Sequence, residues 1–135
     1  MIRRIHHVAF AHPSGSTMPW ALREALALED VSEELGDGFV ERMLRVGDGF
    51  VQLLEPTGPG TVQRFLDRRG PSLHHVGFEV DDVAAAVSSL RLAGLPLVEP
   101  APRPGGMGST VAFVYPAAFD GLLVELVQPS GDKGP

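Results

Sequence analysis

The feature that most constrains the fold is an internal repeat. The phrase IHHVAFA at residues 5–11 returns as LHHVGFE at residues 73–79, and VQLLEP at residues 51–56 returns as VELVQP at residues 124–129. All four are short apolar runs typical of buried strands, yet each keeps a polar residue in its interior. The repeat predicts two related modules in a chain of 135 residues, which is the size of one domain.

The two modules are predicted over residues 2–58 and 72–129, joined by a helix over residues 61–69 that Thr61 caps and Gly70 ends. Each module begins with a strand, continues into a helix and closes with further strands. The order βαβββ, read twice, predicts an α+β fold with a mixed sheet. The Gly- and Pro-rich tail at residues 130–135 is predicted to be disordered.

The helix of module two is well specified by DDVAAAVSSLRLAGL, where Asp81 or Asp82 is the N-cap and Gly94 the terminator. The helix of module one is specified more loosely. Ser16 or Thr17 is its predicted cap, Pro19 lies in its first turn, and the side chains predicted to point inward are Trp20, Leu22, Ala25 and Leu26.

A hairpin is predicted in FVERMLRVGDGFVQLLEP, because Asp48-Gly49 between two apolar runs favours a two-residue type I′ turn. This register pairs Gly47 with Phe50 and Arg45 with Gln52. Directly paired residues share a face of the sheet, and the face alternates along a strand. The face predicted to carry Gln52 therefore also carries Glu41, Met43, Arg45 and Leu54.

Strand alternation also sorts the doubled histidines. His7 shares a face with Ala9, and His75 shares a face with Gly77, so that each of these histidines stands beside a small residue. This pattern indicates a cavity wall. The other histidine of each pair, His6 or His74, lies on the Val/Phe face and is interpreted as a structural residue.

Four polar residues occupy equivalent positions in the two modules: His7 and Gln52 in the first, His75 and Glu125 in the second. A single strand histidine is usually structural, but the repetition of all four predicts that the modules bring them together. Two imidazoles, an amide oxygen and a carboxylate suit a borderline divalent metal, with Co²⁺ first among the candidates and Mn²⁺, Ni²⁺ or Zn²⁺ as alternatives.

Composition excludes several classes of function. A net charge of −6 argues against a nucleic-acid partner, and the absence of cysteine excludes thiolate metal sites and cysteine nucleophiles. No apolar stretch is long enough for a membrane span, and the N-terminus lacks the apolar region of a signal peptide. We therefore expect a cytoplasmic protein without a membrane partner.

Several of these motifs resemble one family. VQLLEPTGPGTVQRFLDRRGPSLHHVGFEVDDVAAAV, PRPGGMGSTVAFVYP and GLLVELVQ resemble the methylmalonyl-CoA epimerases of the vicinal oxygen chelate (glyoxalase/bleomycin resistance/dioxygenase) superfamily. The resemblance implies that the paired modules form a partly closed, cup-shaped sheet around a divalent metal. It also implies a homodimer and an acyl-CoA substrate, the methylmalonyl thioester whose two C2 epimers are interconverted.

Roles for individual residues follow from the resemblance. The family's His, Gln, His and Glu ligands fall on His7, Gln52, His75 and Glu125. Its glutamate general base falls on Glu41, and its second proposed proton-transfer carboxylate falls again on Glu125.

The glycine-rich segment PGGMGS is predicted to offer backbone amides to a substrate carboxylate, from Gly106, Met107, Gly108 and Ser109; the alternative is a plain loop. Three positions depart from the family pattern, since Thr110, Tyr115 and Ala117 stand where epimerases often carry Arg, His and Lys. Two alternative functions stay open: another metal-dependent enzyme of the superfamily, such as a glyoxalase-like lyase or a different acyl-thioester epimerase, or a metal-free binding or resistance protein.

Overall fold

The computed structural model describes residues 1–131. Its first half contains β1 (Ile2–Ala11), the short helix α1 (Met18–Trp20), which continues into a π-type turn (Ala21–Ala25), and then β2 (Glu29–Leu35), β3 (Phe39–Val46) and β4 (Gly49–Pro56). The second half contains α2 (Thr61–Arg69), β5 (Ser72–Val80), α3 (Val83–Leu92), β6 (Leu97–Pro104), β7 (Thr110–Val114) and β8 (Leu123–Gln128). Two 3-10 turns, Gly106–Gly108 and Pro116–Phe119, flank β7.

Among the described residues, the strands of the first half lie in the order β2-β3-β4-β1, and those of the second half lie in the order β5-β8-β7-β6. The βαβββ order occurs twice, so the predicted α+β fold class is confirmed. β1 pairs with β4 in parallel, and β5 pairs with β8 in parallel. The final strand of each repeat therefore lies beside its first strand, which brings the two repeated phrases of a module together.

Contacts divide the chain into two compact units, and the division falls inside β1. One unit contains residues 1–6 and the chain from His75 onward, and the other contains His7–His74. That the chain acts as a single domain, with module limits at residues 2–58 and 72–129, stays a prediction. Of the predicted disordered tail, residues 132–135 lie outside the described part of the chain.

In the unit that contains α3, the core forms between this helix and one face of β5–β8. Val83, Ala86 and Val87 of α3 pack with side chains of the sheet that include Val80, Leu97, Ala112, Val114, Val124 and Leu126. Asp82 caps α3, because its carboxylate accepts a hydrogen bond of 3.0 Å from the backbone N–H of Ala85, as the sequence predicted. Alternation places Phe113 and Glu125 on the face of the sheet that α3 does not cover.

In the other unit, the buried cluster is Ala9, Ala11 and Leu54 packed against Val62 and Phe65 of α2. Ala9 is therefore a packing residue in this cluster, and the cavity wall expected beside His7 stays a prediction. The predicted bounds of α2 are confirmed, but its N-cap is Gly60, and Thr61 is the first helical residue.

The predicted helix of module one is much shorter than expected. Three α-helical residues pass directly into the π-type turn, where the N–H of Leu26 donates to the carbonyl of Ala21. Thr17 occupies the N-cap position without a side-chain hydrogen bond. The expected inward direction of Trp20 and Leu26 is wrong, since they are 60% and 67% exposed.

The predicted hairpin is present, but its register differs from the expectation. Val46 pairs with Gly49, so that Gly47 and Asp48 form the loop, and only Gly47 has a positive φ, 57°. A type I′ turn needs positive φ at both loop residues, whereas placing glycine first fits a type II′ turn. The shift moves every pairing by an even number of residues. Each side chain consequently keeps the face that was predicted for it.

Candidate active site

The second module places two predicted ligands in direct contact. β5 and β8 run in parallel with Gly77 beside Glu125, so His75, two residues before Gly77, lies on the face that carries Glu125. His75 Nε2 is 3.0 Å from Glu125 Oε1, and both side chains are more than nine-tenths buried. A buried imidazole and carboxylate at this distance are a pair of potential metal ligands.

The first module repeats the arrangement with different residues. β1 and β4 run in parallel with Ala9 beside Gln52, so that His7 and Gln52 correspond to His75 and Glu125 of the second module. His7 and Gln52 are buried as well, with 3% and 6% exposure. The repeated phrases therefore produce the same local pairing twice, with a small residue next to the second polar side chain each time.

Within the unit that contains β5–β8, His75 and Glu125 are the two potential metal ligands in contact. That His7 of the other unit joins them around one ion stays a prediction.

The orientation of Gln52 suits the fourth ligand position. Its side-chain Nε2 donates a hydrogen bond of 3.0 Å to Glu41 Oε2, and its Oε1 is buried without a hydrogen-bond partner. A buried carbonyl oxygen without a partner is costly unless another group binds it. The donor set of two imidazoles, one carboxylate and this free amide oxygen fits a divalent metal. The place of Gln52 among the ligands remains a prediction.

Glu41 lies on the face of Gln52, as the parity of the hairpin predicted. It pairs with Leu54 across β3 and β4, while Gln52 pairs with Met43, so the two side chains are diagonal neighbours. Glu41 is half-buried, in contrast to the fully buried Gln52. A carboxylate in this position is within reach of a bound molecule that also faces Gln52.

The glycine-rich loop uses part of its backbone internally. The N–H of Ser109 donates to the carbonyl of Gly106, the hydroxyl of Ser109 donates to the same carbonyl at 2.7 Å, and the N–H of Gly105 donates to the carbonyl of Ser109. Met107 has a positive φ of 55°. The amide of Ser109 is thus engaged within the loop, and a substrate role for residues 106–109 stays a prediction.

Sequence reasoning missed Phe113, which lies beside the ligands. Phe113 pairs with Glu125 across β7 and β8, and its ring meets the ring of His75 edge-on, with centroids 5.7 Å apart. The signal was the alternation in TVAFV, which separates Phe113 from the core-facing Ala112 and Val114. This ring forms an apolar boundary beside the imidazole of His75.

Residues 6–113 match the model of the glyoxalase/bleomycin resistance protein/dioxygenase superfamily. The chain belongs to this superfamily.

Its relatives in the superfamily include several epimerases. The chain is 32% identical over 133 residues to the ethylmalonyl-CoA/methylmalonyl-CoA epimerase of Cereibacter sphaeroides, a match that covers 95% of this chain and 99% of that protein. It is 37% identical over 67 residues to the mitochondrial methylmalonyl-CoA epimerase of Dictyostelium discoideum, covering 48% of this chain. The chain spans 40% of the Dictyostelium protein and 51% of an uncharacterized Bacillus subtilis relative.

The fold also matches solved structures over its whole length. A methylmalonyl-CoA epimerase in complex with methylmalonyl-CoA and NH4+ superposes with a TM-score of 0.92 at 30% identity, with 100% of both chains covered. The predicted resemblance to this branch of the superfamily is confirmed. No helix among the described residues combines the length and the apolar character that crossing a membrane requires.

Proposed function

We propose that this superfamily member is a metal-dependent epimerase that interconverts the 2R and 2S epimers of methylmalonyl-CoA. The observation that carries the proposal is the buried pair of His75 and Glu125, whose Nε2 and Oε1 atoms lie 3.0 Å apart. The other unit repeats the pattern with the buried His7 and with Gln52, whose Oε1 has no hydrogen-bond partner. Support for the substrate comes from the epimerase relative that matches over nearly its full length. The proposed cytoplasmic location and homodimer rest on sequence alone.

The metal would be held by His7, Gln52, His75 and Glu125. Gln52 contributes its free Oε1, and the hydrogen bond from its Nε2 to Glu41 keeps that oxygen turned away from the glutamate. A divalent ion in this position supplies Lewis-acid stabilisation of negative charge on a carbonyl oxygen, an effect of several kcal/mol. Co²⁺ is the first candidate, followed by Mn²⁺, Ni²⁺ and Zn²⁺.

Glu41 is the proposed general base. The C2–H bond of the substrate lies between a thioester carbonyl and a carboxylate, so removal of its proton leaves the electron pair delocalised as an enolate. The carboxylate of Glu41 takes that proton on one face of the substrate. Its half-buried position supports this role, because the group faces Gln52 while remaining open to a bound molecule.

Inversion at C2 also needs a proton donor on the opposite face, and Glu125 is the proposed donor. Its buried carboxylate would deliver a proton to that face. The return of this proton to C2 consumes the enolate and gives the other epimer.

The test is to incubate a single epimer of methylmalonyl-CoA in deuterated water with the Co²⁺-loaded protein. We expect formation of the other epimer together with deuterium at C2, loss of both after chelation, and recovery when the metal is returned. Metal binding without exchange at C2 would favour a glyoxalase-like reaction or a different thioester substrate. Absence of metal binding would favour the metal-free binding protein.

A further inference from the structure

Arg103 is the one arginine that is half-buried and lacks a carboxylate partner within the described residues. The arginines paired with acidic side chains are Arg4, Arg23, Arg42, Arg45 and Arg91. The unpaired ones other than Arg103 are exposed: Arg3, Arg64, Arg68 and Arg69. Among residues 1–131, the side chain of Arg103 interacts with an aromatic ring, that of Phe113, and with no carboxylate. A partly desolvated cation that lacks a counter-ion is a candidate for binding an anionic ligand.

The ring under Arg103 links it to the candidate active site. The guanidinium carbon of Arg103 is 5.0 Å from the centroid of Phe113, and the same ring meets the His75 imidazole edge-on at 5.7 Å. Phe113 also pairs directly with Glu125. One aromatic ring therefore separates the guanidinium from two of the proposed metal ligands.

An irregularity in β6 turns Arg103 toward this face. Leu97 pairs with Val114 on the α3 side of the sheet, and in a regular strand Arg103, six residues later, would share that side. The register instead shifts between Val98 and Arg103, so that Arg103 pairs with Val111. The shift is an odd number of residues, which moves Arg103 to the side of Phe113 and Glu125.

The backbone around Arg103 restricts its position further. Pro102 and Pro104 flank it, and proline fixes φ near −65°. The guanidinium carbon lies over the Phe113 ring, and a planar guanidinium can donate two parallel hydrogen bonds, the geometry that recognises a carboxylate. The charge is thereby held in place before a ligand arrives.

We propose that Arg103 binds the free carboxylate of the malonyl-type substrate and so makes the site specific for thioesters that carry a second acid group. This inference rests on the proposed function, since it assigns a contact to the substrate of that reaction. Arg103 acts in substrate binding and takes no part in proton transfer.

The test compares two thioesters that differ in the carboxylate. Calorimetric titration of the metal-loaded protein would use methylmalonyl-CoA and propionyl-CoA, which has the same acyl chain without the acid group. We expect Arg103→Met to weaken binding of methylmalonyl-CoA about ten- to a hundredfold, because a charged hydrogen-bonded contact is lost. The affinity of the variant for propionyl-CoA should stay within about twofold of the wild-type affinity. This change is small beside the tenfold change that corresponds to about 1.4 kcal/mol.

Two further variants make the result specific. Arg103→Lys keeps the charge and should recover part of the affinity, while Arg103→Gln serves if the methionine variant folds poorly. Arg91→Met is the matched control, because Arg91 forms its ion pair with Glu99 at the surface and should leave both affinities unchanged. In steady-state assays the loss should appear mainly in KM.

Several outcomes would overturn the assignment. An equal loss for both thioesters would place Arg103 against the CoA portion, and unchanged affinity for both would show a purely structural role. Wild-type protein that neither binds nor epimerises methylmalonyl-CoA would remove the proposed function itself. Normal wild-type turnover with an unaffected Arg103→Met variant would remove only the role of Arg103.

Discussion

At the scale of single residues, a hydrogen bond links the proposed metal ligand Gln52 to the proposed general base Glu41. Gln52 Nε2 donates to Glu41 Oε2, which fixes the direction of the amide and leaves Oε1 free. Glu41 thus has two proposed roles, as the base and as the group that orients a ligand. Two substitutions at the same position separate them.

Glu41→Gln should abolish the base and preserve the orientation, because the new amide oxygen still accepts from Gln52. We expect C2 deuterium exchange to fall about 10²- to 10⁴-fold, the usual contribution of a general base, with metal affinity nearly unchanged. Glu41→Ala should lower exchange equally and also weaken metal binding about tenfold or more, the usual effect of losing an outer-shell partner. Exchange at the wild-type rate in Glu41→Gln would exclude Glu41 as the base.

The sequence predicted site residues only where strand periodicity was regular. His7, His75 and Glu125 were found because the repeats doubled the pattern; all three are buried, and His75 contacts Glu125. Arg103 was not found, because the irregularity in β6 reverses the face that periodicity assigns to it. Trp20 was misplaced for a related reason, since a π-type turn replaces the predicted helical spacing directly after it.

At the level of secondary structure, the sequence predicted the positions of helices and strands more accurately than it predicted which residues pair across the hairpin. The hairpin was predicted at the correct place, yet its loop is Gly47-Asp48, because glycine at the first loop position adopts positive φ without steric cost. Each side chain still lies on its predicted face of the sheet, because the pairing moved by an even number of residues. Faces are therefore more predictable than pairing partners when a turn contains several glycine and aspartate residues.

The two edge strands carry different features that discourage further strand pairing. β2 contains Glu29, Asp30, Glu33 and Glu34, and the β6 segment LVEPAPRP contains three prolines.

Arg42 holds β2, β3 and β4 together through Glu33 and Glu55. Burial would lower the pKa of Arg42, but the hydrogen bonds that Arg42 donates to these carboxylates, together with their negative charge, outweigh it and raise the pKa.

The N-cap of α3 gives a stability prediction for one element. Asp82→Ala removes the bond to the Ala85 N–H, and we expect a loss of about 1 kcal/mol, which lowers Tm by roughly 3–6 °C for a chain of this size. Asp82→Asn is the control, because its side-chain oxygen still accepts this bond. Thermal unfolding by circular dichroism measures both. Equal Tm values for Asp82→Ala and wild type would show that the cap contributes nothing.

For the molecule as a whole, duplication gives each half of the sequence a histidine and a second polar ligand in the same strand pairing. Neither repeat alone contains the full donor set. A metal that binds only the folded chain shifts the unfolding equilibrium by mass action, by about 2.7 kcal/mol when its concentration is a hundred times Kd. The stability of the entire chain should therefore depend on the divalent ion.

We expect Co²⁺ at that concentration to raise Tm by roughly 8–16 °C, the shift that this free energy gives for a chain of this length. His75→Ala should abolish the metal-dependent increase, because it removes a ligand buried beside Glu125. His74→Ala is the matched control. Its ring packs against Phe65 at 4.6 Å, so that variant should start from a lower Tm yet keep the full increase. Differential scanning calorimetry with and without metal measures both effects, and an undiminished increase in His75→Ala would place the ion elsewhere.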